Sequence, residues 1–178
     1  MGDIVELLQQ DHEKAKAMLA KITSAAPEAR AELFCELVPD LVSHEVAEEI
    51  VVYPTIRSDA PDGEAEAEPR LKEQAEAEDL LNQMEKLDPA STEFGASLTK
   101  LKDAVLVHAS AEEENIFPLL RALNREDARE ELGKRYEQAK SMAPTHPHPH
   151  APDTPPGNVL LGPIAAIFDK MRDAVRAI

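Results

Sequence analysis

His44-Glu-Val-Ala-Glu48-Glu-Ile-Val-Val-Tyr53-Pro54 can be laid over His108-Ala-Ser-Ala-Glu112-Glu-Glu-Asn-Ile-Phe117-Pro118, 64 residues further along the chain. The histidine, two consecutive glutamates, an aromatic residue and a proline recur at the same offsets, and Arg57 matches Arg121. A nearly equal shift lays the preceding segments over one another, with His12 falling against Gln74. The chain therefore reads as two helix pairs, one a copy of the other.

Helical periodicity carries that reading outward. Ile4, Leu8, His12, Ala15, Leu19 and Ile22 line one face of a first helix, opened by Asp3 and Glu6 in a capping-box-like start. Pro27 closes this helix or opens the next. The second helix runs from about Glu28 to Val52 with Leu37, Leu41, His44, Glu48 and Val51 inward. Pro39 should kink it, and Pro54 with the loop from Ser58 to Gly63 should end it. A third passes through Leu71, Gln74, Glu78 and Leu81 and stops before Pro89. Ser91 or Thr92 caps a fourth, whose inner stripe is Leu98, Leu101, Val105, His108, Glu112, Ile116 and Leu119. Pro118 should bend or break its end.

No segment reads as a strand. The expected fold is all-α: an antiparallel four-helix bundle over residues 1–123 with additional C-terminal helices. A charged fifth helix occupies 124–143. Residues 144–158 change composition to an extended linker rich in Pro and His. Residues 159–178 form an amphipathic helix with Ile164, Ile167, Phe168, Met171, Val175 and Ile178 on one face, expected to dock on the bundle.

Composition narrows the function. The chain has 178 residues, 43% hydrophobic but only 3% aromatic, and a net charge of −16. Such a surface repels nucleic acid and anionic membranes, so neither is expected as a partner. The longest uncharged apolar stretch, Asn158 to Phe168, falls short of the ~20 residues that span a bilayer. Asp3 and Glu6 stand where a secretion signal would be basic, and a lone cysteine fits a reducing cytoplasm. Cys35 lies off the inner stripe and reads as a partly buried filler. His146, His148 and His150 alternate with proline and read as linker.

The informative residues are polar ones where a core should be. His12, His44, Glu48, Glu78, His108 and Glu112 all occupy inner-stripe positions. Buried carboxylates without compensation cost several kcal/mol each, unless a cation lies among them. One HxxxE is usually a solvated i,i+4 pair. Two copies in register, with His12 on another helix, point instead to ligands placed symmetrically about two metal ions.

These residues resemble the hemerythrin-like (HHE cation-binding) family: His12 in Gln-Gln-Asp-His-Glu, His44 and Glu48 running into Val-Tyr-Pro, and His108 and Glu112 running into Ile-Phe-Pro. The Pro/His-rich tail looks like that of actinobacterial, including mycobacterial, members. The resemblance implies two non-haem iron ions joined by an oxo or hydroxo bridge inside the bundle. Carried over by position, His12, His44, Glu48, His108 and Glu112 match family ligands. Glu78 falls where oxygen carriers have a second His and other members have Glu. Gln74 takes a place usually held by His; its amide is a poor iron ligand, though it can hydrogen-bond a bound ligand or water.

Tyr53 breaks the repeat, since its partner is Phe117. Its phenol either coordinates iron or hydrogen-bonds an iron-bound ligand, which would make it the catalytic residue. The bland alternative is a tyrosine packed at a helix end. On an ideal helix it would point ~140° away from Glu48, unless the turn before Pro54 unwinds. Three glutamates and a phenolate are hard anionic donors that stabilise ferric iron. The expected chemistry is therefore turnover of hydrogen peroxide or nitric oxide, catalase- or peroxidase-like, by a monomer or homodimer. The alternative is iron or dioxygen binding, or sensing, without turnover.

Overall fold

Two prolines at matching places in the two repeats, Pro54 and Pro118, would be expected to stop two helices; instead each follows a single widened turn. The computed structural model describes residues 2–123 and 126–148. It runs α1 (Ile4–Ser24), α2 (Pro27–Ala47), a π-helical turn (Glu48–Val52), α3 (Tyr53–Asp59), α4 (Gly63–Met84), α5 (Thr92–Ala111), a second π-helical turn (Glu112–Ile116), α6 (Phe117–Leu123) and α7 (Glu126–Met142). No strand occurs among the described residues. The expected helix over 159–178, and His150, lie outside them.

The π turns explain how the prolines are accommodated. Pro54 has no N–H for the carbonyl of Ile50 and its ring presses on that carbonyl. Widening the turn to i→i+5 bonding relieves both: Tyr53 N–H bonds Glu48 O, and Phe117 N–H bonds Glu112 O. The helices therefore continue past Pro54 to Asp59 and past Pro118 to Leu123, where an end or a break was expected. Pro27 opens α2 rather than closing α1.

Caps follow the sequence. Asp3 accepts from the Val5 N–H and Ser91 from the Phe94 N–H. Asp62 turns the chain into α4 at φ 61°, followed by a glycine that nothing larger could replace. A Cβ on Gly63 would lie 2.1 Å from the carbonyl oxygen of Ile56.

α1 packs on α2 and α5, α4 on α5 and α2, and α3 on α4, which makes the bundle; α7 lies against α1, α2 and the first π turn. The buried apolar residues form two clusters. One gathers Ile4, Leu8, Val51, Ile56, Phe117, Leu120 and Leu132; the other gathers Leu19, Phe34, Leu37, Leu41, Leu81, Phe94 and Leu101. Between them lies a polar layer. Cys35 is exposed, not partly buried, because Leu33, Phe34 and Leu37 take the inward positions. After α7 the chain packs back onto the bundle: Pro144, His146 and Pro147 are buried, and His146 pairs with Glu85 at the end of α4.

Candidate metal centre

Four helical rods each contribute to the polar layer. His12 comes from α1, His44 and Glu48 from α2 and its π turn, Gln74 from α4, and His108 and Glu112 from α5 and its π turn. Glu48 has 0% exposure, Glu112 1% and Gln74 2%, deeper than a carboxylate or amide normally sits. His12 Nε2 lies 3.2 Å from Glu112 Oε2, His44 Nε2 3.3 Å from Glu48 Oε1, and His108 Nε2 3.5 Å from Glu112 Oε2. Donor atoms of His12, His44, Glu48 and Glu112 all fall within 4.8 Å of one another.

Each imidazole turns its other nitrogen outward to an oxygen partner. His12 Nδ1 meets Glu113 (3.0 Å), His108 Nδ1 meets Glu73 (2.9 Å), and His44 Nδ1 meets the Tyr136 hydroxyl (2.6 Å) with Asp11 behind it. An Nδ1–H spent on such a partner leaves Nε2 bare and inward, the arrangement that metal-binding histidines show. Five inward atoms have no hydrogen bond: His12 Nε2, His108 Nε2, Glu48 Oε1, Glu112 Oε2 and the Gln74 amide oxygen. Unsatisfied polar atoms of this kind cost free energy unless something bonds them all. Cations at the centre would do so, and the nitrogen and oxygen donors suit first-row metals such as iron.

The electrostatics agree. Burial, reinforced by Glu112, pushes Glu48 well above the usual carboxylate range. Burial also opposes ionisation of Glu112, but His108, His12 and His44 outweigh it and bring that carboxyl down to about 2. His12 is raised: burial works against its charge, and Glu112 and Glu113 overcome it. His44 is lowered, because burial wins over Asp11. Without a cation the layer holds its charge unevenly.

The hemerythrin HHE cation-binding domain model matches residues 3–120, the span that supplies every one of these inward donors. The chain belongs to the hemerythrin HHE family. It is 30% identical over 175 residues to a hemerythrin-like protein of Schizosaccharomyces pombe, an alignment covering 97% of this chain and 86% of that protein. A DNA nickase of a Nostoc species is 30% identical over 140 residues, which is 78% of this chain but 39% of the nickase. A hemerythrin HHE cation-binding domain-containing protein of Mycobacterium kansasii has the same fold in its crystal structure. Its TM-score is 0.67 at 22% identity, over 79% of this chain and 89% of that one.

Within this hemerythrin-like site the two repeats differ at their aromatic positions. Phe117 stacks on His12, ring centroids 5.4 Å apart. Tyr53 instead sends its hydroxyl into the layer, donating to Glu112 Oε1 (2.8 Å) and accepting from the Gln74 amide (2.9 Å), which also donates to Glu48 Oε2 (2.7 Å). The π turn makes this possible, since i→i+5 bonding stacks Tyr53 over Glu48. Burial, with Glu112 and Glu48 adding, raises Tyr53 well above the ordinary phenol value, so it stands as a neutral donor in the metal-free protein.

Glu78 is placed elsewhere. It is half-buried, and its Oε1 accepts the His148 backbone N–H (2.7 Å). The inner face of α4 passes through Gln74, Ala77 and Leu81, not Gln74 and Glu78. Two buried residues were missed in the sequence. Glu45 follows His44 directly and lies off the inner stripe as drawn, yet it is only 8% exposed. Tyr136 sits in the charged fifth helix, where only its being the one other tyrosine could have drawn notice. Beside the centre lies a cavity of about 20 Å³, room for one water-sized molecule. Its lining includes His12, His44, Gln74 and His108 together with Leu41, Ala77, Ala104 and Val105.

Proposed function

We propose that this hemerythrin-like protein is a non-haem di-iron oxidoreductase that turns over a small ligand, hydrogen peroxide or nitric oxide, in the manner of a catalase or peroxidase. The observation that carries the proposal is the set of five unbonded inward atoms (from two imidazoles, two carboxylates and an amide) beside a cavity of about 20 Å³. His12, His44, Glu48, His108 and Glu112 would hold two irons sharing an oxo or hydroxo bridge, with Tyr53 at the edge of the site. Iron, when bound, would supply the redox chemistry. Two carboxylates with a phenol at the edge, beside three imidazoles, favour the ferric state more than an all-histidine set would, which suits turnover better than reversible oxygen carriage.

The chain's own residues divide the remaining work. Glu113 and Glu73 hold His12 and His108 by their Nδ1 atoms. Gln74 orients both Glu48 and the Tyr53 oxygen, and Tyr53 keeps a proton on the edge shared with Glu112. Leu41, Ala77 and Val105 line the cavity and keep it small. The proposal places the protein in a reducing cytoplasm, as a monomer or homodimer. No helix of the described residues is long and apolar enough to cross a membrane.

Elemental analysis of protein purified without chelators is expected to find close to two irons per chain. The loaded protein should then consume peroxide or nitric oxide faster than the same amount of free iron. A folded, iron-supplied protein with little metal would overturn the di-iron reading; two irons without turnover would overturn the enzymatic one.

A sensing role is the second reading, favoured by the segment after α7. Its His148 N–H and His146 side chain are tied to Glu78 and Glu85 of α4, the helix that also carries Gln74. Limited proteolysis discriminates: a sensor shows cleavage of this segment that depends on iron, an enzyme with a fixed cover does not.

A further inference from the structure

Tyr136 belongs to α7, outside both repeats, and yet its hydroxyl ends among the partners of the metal centre. It is 1% exposed. Its oxygen lies 2.6 Å from His44 Nδ1, and its proton is given to Asp11 Oδ2 at 2.7 Å. Lys140, one turn along α7, holds that same carboxylate oxygen at 2.6 Å. A phenol has one proton. Once it is committed to Asp11, only lone pairs face His44, so His44 must present Nδ1–H and keep Nε2 bare toward Glu48.

Comparison of the two halves shows why a phenol is needed. The shift that lays His12 on Gln74 lays Asp11 on Glu73. Glu73 takes the His108 Nδ1–H directly, at 2.9 Å. Asp11 is one methylene shorter and stops 3.6 Å from His44 Nδ1, beyond a good hydrogen bond. The Tyr136 oxygen fills the missing length. Tyr136 and Lys140 both reach Asp11 from α7, so the side chains that complete the His44 partner set come from that helix.

We propose that Tyr136 is a positioning residue that sets the tautomer and direction of His44 through its hydroxyl. The proposal rests on the reading of this layer as a metal site, and its test separates the two. Ferrous affinity is measured anaerobically by competition with a chromophoric chelator, together with thermal stability. Tyr136→Phe is expected to lose about 10–100-fold in affinity. Leu132→Ala, which loosens the same helix without touching the centre, should cost comparable stability yet stay within about threefold of the wild-type affinity. Asp11→Glu combined with Tyr136→Phe restores the missing length from the other side and should recover most of the loss.

Nitrogen-15 NMR of the metal-free wild type should show His44 as the Nδ1–H tautomer, and the Tyr136→Phe protein a mixture. Unchanged affinity in Tyr136→Phe, or an equal loss in Leu132→Ala, would overturn the proposal. A wild type that binds no iron would overturn the metal-site reading, while the tautomer measurement would still decide whether Tyr136 controls His44.

Discussion

Position 53 is where two nearly identical halves part company. Phe117 stacks on His12, whereas the phenol of Tyr53 bonds Glu112 and receives Gln74. Tyr53→Phe is expected to alter the visible absorption of the iron-loaded protein and slow peroxide turnover by about 10–100-fold. An unchanged spectrum and rate would remove Tyr53 from the site. Glu45 makes a prediction of the opposite kind, since its burial among other carboxylates opposes its charge. Burial first, then Glu78 and Glu49, raises its carboxyl well above the usual range. Above about pH 4.3 the unfolded chain releases a proton that the folded chain keeps, so this residue makes metal-free protein less stable as pH rises. Glu45→Gln should therefore raise the melting temperature of metal-free protein, by more at pH 8 than at pH 5. Equal gains in thermal scans at the two pH values would show that Glu45 ionises freely in the fold.

Helices and turns explain which of these residues could be read from sequence. His12, His44, Glu48 and Glu112 were legible because a 3.6-residue period puts them on stripes that are otherwise apolar. Glu78 followed the same period but not the same face, because the buried side of α4 runs through small Ala77. Tyr53 was half legible: its break of the repeat showed, but only the π turn ahead of Pro54 turns it inward. α7 was legible as a charged fifth helix, but nothing in its sequence showed that it brings Tyr136 and Lys140 to Asp11. Its close seating depends on Gly133, where a Cβ would meet the Gly2 carbonyl oxygen at 2.3 Å. Gly133→Ala gains about 1 kcal/mol of helix propensity and meets a backbone atom that cannot yield cheaply. It is expected to lower stability by about 1–2 kcal/mol net in denaturant unfolding. A more stable variant would mean that α7 sits less tightly on α1.

On the scale of the whole molecule, the apolar core is in two pieces with a charged layer between them. That division weakens the metal-free fold, since each half gains burial without continuity across the centre. Metal that binds only the folded form stabilises it by about 4 kcal/mol at a thousandfold excess over its dissociation constant. For a chain of this size the stripped protein should melt roughly 8–16 °C below the iron-loaded one. Identical melting curves would show that the layer is satisfied without metal.

The sequence by itself determined the helical fold, the duplication and five of the polar residues brought to the centre, because periodicity and repetition are properties of spacing along a chain. Tertiary structure alone decided that Tyr53 points inward, that Glu78 lies aside, that Glu45 is buried, and that Tyr136 from a fifth helix completes the reach of a short aspartate. Those outcomes depend on how far one backbone stands from another, and a difference of one methylene or one widened turn leaves no periodic trace.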